Sequence, residues 1–136
     1  MKSVTTYLHF NGNCRAAMAF YVECLGGDLN VMPQPDATGK PSTDPKALVM
    51  HSQIDRDGRP LLMASDSPPG ADKSVQGTNF SVSIDCSTAE ELETLFKALS
   101  KGGKVNMPPS DVPWGRFGMC VDSFGTSWIF NCAKAG

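Results

Sequence analysis

His9 and His51 are the only two imidazoles in this 136-residue chain. Imidazole titrates near neutral pH, so each histidine is a candidate general base or anion ligand. Tyr7 and His9 stand two residues apart, as do His51 and Gln53. A spacing of two places both members of a pair on one face of a β-strand. Trp114 stands between Pro113 and Gly115, where a core has little use for it. It is a candidate cover that stacks on a ligand. Further on, Ser127, Ile129 and Asn131 alternate with Trp128 and Phe130. The aromatic pair suits a core, which leaves Ser127 and Asn131 for the opposite face. Tyr7, His9, His51, Gln53, Trp114, Ser127 and Asn131 therefore form the candidate ligand-binding set. The competing reading of each histidine is a hydrogen-bonded side chain on a half-buried sheet face. For Trp114 it is a loop anchor or a dimer contact. No catalytic residue is assigned. No carboxylate adjoins either histidine in sequence, and no Gly-x-Ser-x-Gly is present, so a serine triad is unsupported.

The elements that must position these residues are written twice. Val4–Phe10 alternates as a strand does, with Val4, Thr6, Leu8 and Phe10 on one side. Asn13 follows as the expected N-cap of a helix that Gly26 stops. Strands are expected near Leu29–Met32, Ala47–Ile54 and Pro60–Ser65, with Leu48, Met50 and Ile54 toward the helix. Pro33–Pro45 reads as a loop long enough to be a flap. Asn79–Asp85 alternates again, and Ser87-Thr88-Ala89-Glu90 reads as a capping box. Leu92, Leu95, Phe96 and Leu99 give the second helix its apolar stripe, and Gly102 ends it. Val105–Met107, Phe117–Val121 and Ser127–Asn131 complete the second set of strands, with Pro108–Gly115 as the second loop. Asp122-Ser123-Phe124-Gly125 mirrors the turn at Asp55-Arg56-Asp57-Gly58. The expected fold class is α+β: paired βαβββ modules forming curved mixed sheets around a cleft. One domain is expected, with module one at about 1–66, a linker at about 67–77 and module two at about 78–136.

Composition narrows the partners. Hydrophobic residues make up 40% and charged residues 19%, which suits a globular core. Net charge is −2 and the basic residues are scattered, so no nucleic-acid footprint is present. No apolar run is long enough to span a bilayer, and Met1-Lys2-Ser3 opens no signal-peptide pattern. Five cysteines, an odd count without Cys-x-x-Cys, favour reduced thiols and a cytoplasmic location. Cys86 precedes the second helix, whose dipole can lower a thiol pKa, but the favoured reading is a small residue at a strand end.

Several words of the chain resemble the vicinal oxygen chelate superfamily of glyoxalases, bleomycin-resistance proteins and extradiol dioxygenases, and most closely its PhnB-like branch. They include Tyr7-Leu8-His9-Phe10-Asn11-Gly12-Asn13, Leu62-Met63-Ala64-Ser65-Asp66, Trp114-Gly115-Arg116-Phe117-Gly118 and Asp122-Ser123-Phe124-Gly125-Thr126-Ser127-Trp128. The resemblance runs over nearly the whole chain in order. It implies the glyoxalase/bleomycin-resistance fold and a homodimer. It also implies divalent-metal ligands at four places, which counting from the turns puts at Thr5, Leu62, Asn79 and Ile129. Leucine and isoleucine cannot coordinate a metal, and a hydroxyl with an amide is a poor site for a transition metal. No metal and no other cofactor is therefore expected, nor metal-dependent glyoxalase activity. The branch has often carried the label 3-demethylubiquinone-9 3-methyltransferase-like, but no Gly-rich strand-to-helix loop of a nucleotide-type cofactor site is present. Three functions stay open. The first is binding or sequestering an unknown small molecule. The second is an atypical enzyme using His51 or His9. The third is a dimeric structural or regulatory module with a vestigial cleft.

Overall fold

Strand β1 (Tyr7–Phe10), helix α1 (Cys14–Leu25) and strands β2 (Asp28–Pro33), β3 (Val49–Arg56) and β4 (Arg59–Asp66) come first. Strand β5 (Val82–Asp85), helix α2 (Ala89–Ser100) and strands β6 (Lys104–Val112), β7 (Gly115–Val121) and β8 (Ser127–Ala133) repeat the series. This is a computed structural model, and it describes residues 1–134. The last two positions expected in module two lie outside the described residues. Two four-stranded sheets result, ordered β1-β4-β3-β2 and β5-β8-β7-β6. In each, the short first strand pairs parallel with the last, and the other pairings are antiparallel. A parallel pair needs a long crossover, which the helix and the two middle strands supply. The doubled βαβββ expectation therefore holds. By contact the chain divides into two compact units, Met1–Val75 and Gln76–Gly136.

In the first unit α1 buries Cys14, Ala17, Met18 and Tyr21 against its sheet. The sheet answers with Leu8, Phe10, Ile54, Leu62 and Ala64, all buried. Gly26, at φ 78°, ends the helix in a backbone region that other residues rarely adopt. In the second unit α2 buries Leu92, Phe96 and Leu99, and the sheet supplies Cys120, Trp128 and Phe130. Phe96 meets Phe130 edge to face at 5.2 Å, and the Phe96 ring presses on Gly118, which has no side chain to obstruct it. Full burial of each large apolar side chain contributes roughly 1.5–3 kcal/mol. The buried Trp128 also donates its indole N–H to Asp122 Oδ2 at 2.8 Å, so its one polar group is satisfied.

Several expectations are corrected. The first strands begin at Tyr7 and Val82 rather than at residues 4 and 79, because only the later residues pair with β4 and β8. Asn13 makes no side-chain cap; Asp66 Oδ1 instead accepts from the backbone N–H of Cys14 at 3.0 Å and of Gly12 at 2.8 Å. A carboxylate from β4 thus caps α1 from a distance in sequence. The capping box of α2 is shifted one residue. Thr88 Oγ1 accepts from Glu91 N, and Glu91 Oε1 accepts from Ser87 N. Pro108–Gly115 is mostly strand, because β6 runs to Val112 and irregularities in its pairing accommodate Pro108 and Pro109. Gly115, at φ 151°, starts β7 where a Cβ would strike the Cys132 carbonyl. In β3 the pairing shifts between Met32 and Pro33, so Val49 is buried and Met50 is 41% exposed. Another shift near the β3–β4 turn puts Leu62 on the helix side, 1% exposed and paired with Ile54.

Candidate functional site

The face of the first sheet turned away from α1 carries a continuous polar chain. Tyr7 Oη lies 3.1 Å from His51 Nδ1. His51 Nε2 lies 3.4 Å from Gln53 Oε1, and Gln53 Nε2 donates to Asp55 Oδ1 at 2.7 Å. Strand alternation explains the series, since residues 51, 53 and 55 of β3 point the same way. Tyr7 comes from β1, two strands away, with Met63 of β4 paired to both Tyr7 and Gln53. The tyrosine ring therefore reaches across β4. It contacts the His9 ring at 5.1 Å and the His51 ring at 5.7 Å, tilted in both cases. Met32, paired with His51, is 50% exposed on the same face.

The comparable face of the second sheet holds a second group. Trp114, in the two-residue turn between β6 and β7, is 56% exposed. Its indole N–H donates to Asn131 Oδ1 at 2.8 Å, and its ring meets Phe117 at 6.2 Å. Asn131 Nδ2 donates in turn toward Asp85 Oδ1 at 3.4 Å. Ser127 stands at the other end of β8, its hydroxyl 2.8 Å from that of Ser81. The seven sequence-derived residues thus fall into three groups: Tyr7, His9, His51 and Gln53 together, Trp114 with Asn131, and Ser127 apart.

Sequence reasoning missed Asp55 as the end of the first chain and Asp85 as the end of the second. The signal for Asp55 was present, because it continues the two-residue spacing of His51 and Gln53. Asp85 emerges only from the parallel pairing of β5 with β8.

Three of the five thiols are held protonated. Burial pushes Cys14, Cys86 and Cys120 up from 9.0 to about 11. At Cys86 the Glu91 carboxylate adds to the rise, which sets aside the reactive reading of this thiol and agrees with a small buried residue at a strand end. A cavity of about 880 Å³ opens beside this helix start, between Thr88, Cys86, Arg116 and Lys134, and contains none of the seven residues. The Arg116 guanidinium and the helix start at this cavity are already engaged. Arg116 donates to Glu93 and Asp111, which raise its pKa, and Thr88 and Glu91 occupy the helix cap.

The four positions at which the resemblance places metal ligands do not make a site. Leu62 is core, Ile129 is a hydrocarbon, and Thr5 and Asn79 precede β1 and β5. Among the described residues no three His, Cys, Asp or Glu side chains cluster as metal ligands would.

The family model described as 3-demethylubiquinone-9 3-methyltransferase matches residues 2–130. The chain belongs to that family. It is 32% identical to the protein YjdN of Escherichia coli K12, over 96% of this chain and 95% of the relative. The crystal structure of PA1353 from Pseudomonas aeruginosa is 37% identical, covers 98% of both chains and superposes with a TM-score of 0.81. The PhnB protein of Bacillus cereus is 26% identical over 97% of this chain and 100% of its own, with a TM-score of 0.74. A glyoxylase/bleomycin resistance protein/dioxygenase domain from Frankia, 15% identical with a TM-score of 0.67 over 100% and 95% of the two chains, shares the fold. The chain is thus a PhnB-like member of the vicinal oxygen chelate superfamily with the glyoxalase/bleomycin-resistance fold. No described helix is long and apolar enough to cross a membrane.

Proposed function

We propose that the protein binds a small molecule on the α1-distal face of its first sheet, without a metal, and that binding rather than catalysis is its role. The Tyr7–His51–Gln53–Asp55 chain carries this reading. Side chains on a sheet face that only met water would have no need of a four-member relay. Here each member orients the next and leaves a preorganised polar edge beside Met63 and Met32. The bleomycin-resistance proteins of the superfamily offer the precedent of use without chemistry. An enzyme reading needs a group that receives a substrate proton and a second that stabilises charge, and no Lys or Arg stands at the positions paired with Tyr7, His51 or Gln53 for the second role. Support for a homodimer comes from the exposed apolar side chains Phe80, Val105 and Trp114, and for a cytoplasmic location from five free cysteines.

A fragment screen by protein-observed NMR in the presence of a chelator tests the reading. Hits should shift the resonances of Tyr7, His9, His51 and Gln53 together. Hits that leave these four unmoved and gather elsewhere would contradict it.

A further inference from the structure

Beyond the existence of a binding face, and resting on that reading, we infer that the face selects a neutral ligand carrying a hydroxyl or N–H donor on an apolar body, and discriminates against anions. The direction of the hydrogen-bond chain fixes this. The Asp55 carboxylate only accepts, so the Gln53 amide must turn its NH₂ toward it, as the 2.7 Å contact shows. Gln53 Oε1 then faces His51 and accepts from Nε2–H. A neutral imidazole protonated at Nε2 has an acceptor at Nδ1, and the Tyr7 hydroxyl must donate to it across 3.1 Å. Tyr7 has then used its one proton. Among the described residues nothing donates to its oxygen, and the residue is 38% exposed. The free lone pairs of that oxygen present an acceptor to an incoming ligand.

The surroundings agree with a neutral donor. Asp28 pairs with Asp55 at the β2–β3 edge, which adds negative charge, and no Lys or Arg stands at the paired positions of Tyr7, Gln53 or His51. Met63 and Met32 supply apolar surface within the same set. Asp55 and Gln53 are positioning residues: they act on the ligand only through His51 and Tyr7.

Phenol and benzoate are matched probes, one a neutral donor and the other an acceptor anion on the same ring. Long-range ¹H–¹⁵N correlation at about pH 8.5, where imidazole is neutral, reads the His51 tautomer directly. The expected result is a protonated Nε2 and an unprotonated Nδ1 in the native protein, and a mixed tautomer in Gln53→Ala. Phenol should bind about tenfold more tightly than benzoate, and Tyr7→Phe should weaken phenol binding and shrink that preference while the fold is kept. An Nδ1-protonated His51, or benzoate binding as tightly as phenol with shifts at Tyr7 and His51, would overturn the inference and leave the binding face standing. No shift of these residues by either probe would remove the binding reading and the inference with it.

Discussion

Tyr7 of β1 and His51 of β3 are joined at 3.1 Å although β4 runs between their strands. The tyrosine is long enough to pass over Met63, its paired residue on β4. A shorter side chain at position 7 would leave His51 without its partner. Tyr7→Phe should therefore cost less than about 1 kcal/mol of stability, because the pair is exposed and water replaces the lost bond. It should still displace the His51 ring ¹⁵N resonances. Urea unfolding together with NMR separates the two effects.

Asp66 is a different kind of residue. It is 4% exposed and accepts from three backbone N–H groups, those of Gly12, Cys14 and Val49. It ties the start of α1 to the start of β3. Asp66→Ala leaves three backbone donors without their acceptor, two of them buried, and should cost about 3 kcal/mol. Asp66→Asn keeps one acceptor oxygen and should lose less. Urea midpoints of the two variants check the order.

The shifted cap of α2 gives a paired test. Thr88→Ala should destabilise by about 1 kcal/mol, because Oγ1 accepts from Glu91 N. Ser87→Ala should be close to neutral, since Ser87 takes part through its backbone N–H. Equal effects in thermal unfolding would show that the cap lies at residue 87 after all.

The buried thiols make stability depend on alkaline pH. Cys14, Cys86 and Cys120 have folded pKa values raised from 9.0 to about 11, so the native state holds these protons more tightly than the unfolded chain. Their contribution is complete below pH 9 and is lost as pH rises from 9 to about 11. The urea midpoint should fall across that window, and less so in Cys120→Ala relative to its own value at neutral pH. A thiol reagent at pH 8 should leave these three unmodified until the protein unfolds.

The alternation of Leu8 with His9 and of Trp128 with Ile129 was enough to separate core from open face, because strand period and burial coincide there. Likewise the helix stripe at Leu92, Phe96 and Leu99 needed no tertiary information. What stayed hidden depends on pairing. Met50 and Leu62 were misplaced because pairing shifts break the parity that a count along the chain assumes. The cap of α1 was misread because Asp66 comes from 52 residues beyond Cys14. Of the candidate site, the partners within β3 were legible from spacing. The reach of Tyr7 over β4, and the bond from Trp114 to Asn131, required the sheet order.

The proposed role depends on a face that works without a metal. Calorimetric titration with zinc and nickel, on the native protein and on His51→Ala, tests that most directly. Thr5, Leu62, Asn79 and Ile129 offer no imidazole, carboxylate or thiolate donor. The expected result is no stoichiometric binding below micromolar concentrations in either protein. One equivalent of metal held at sub-micromolar affinity, and still held when His51 is alanine, would contradict the account.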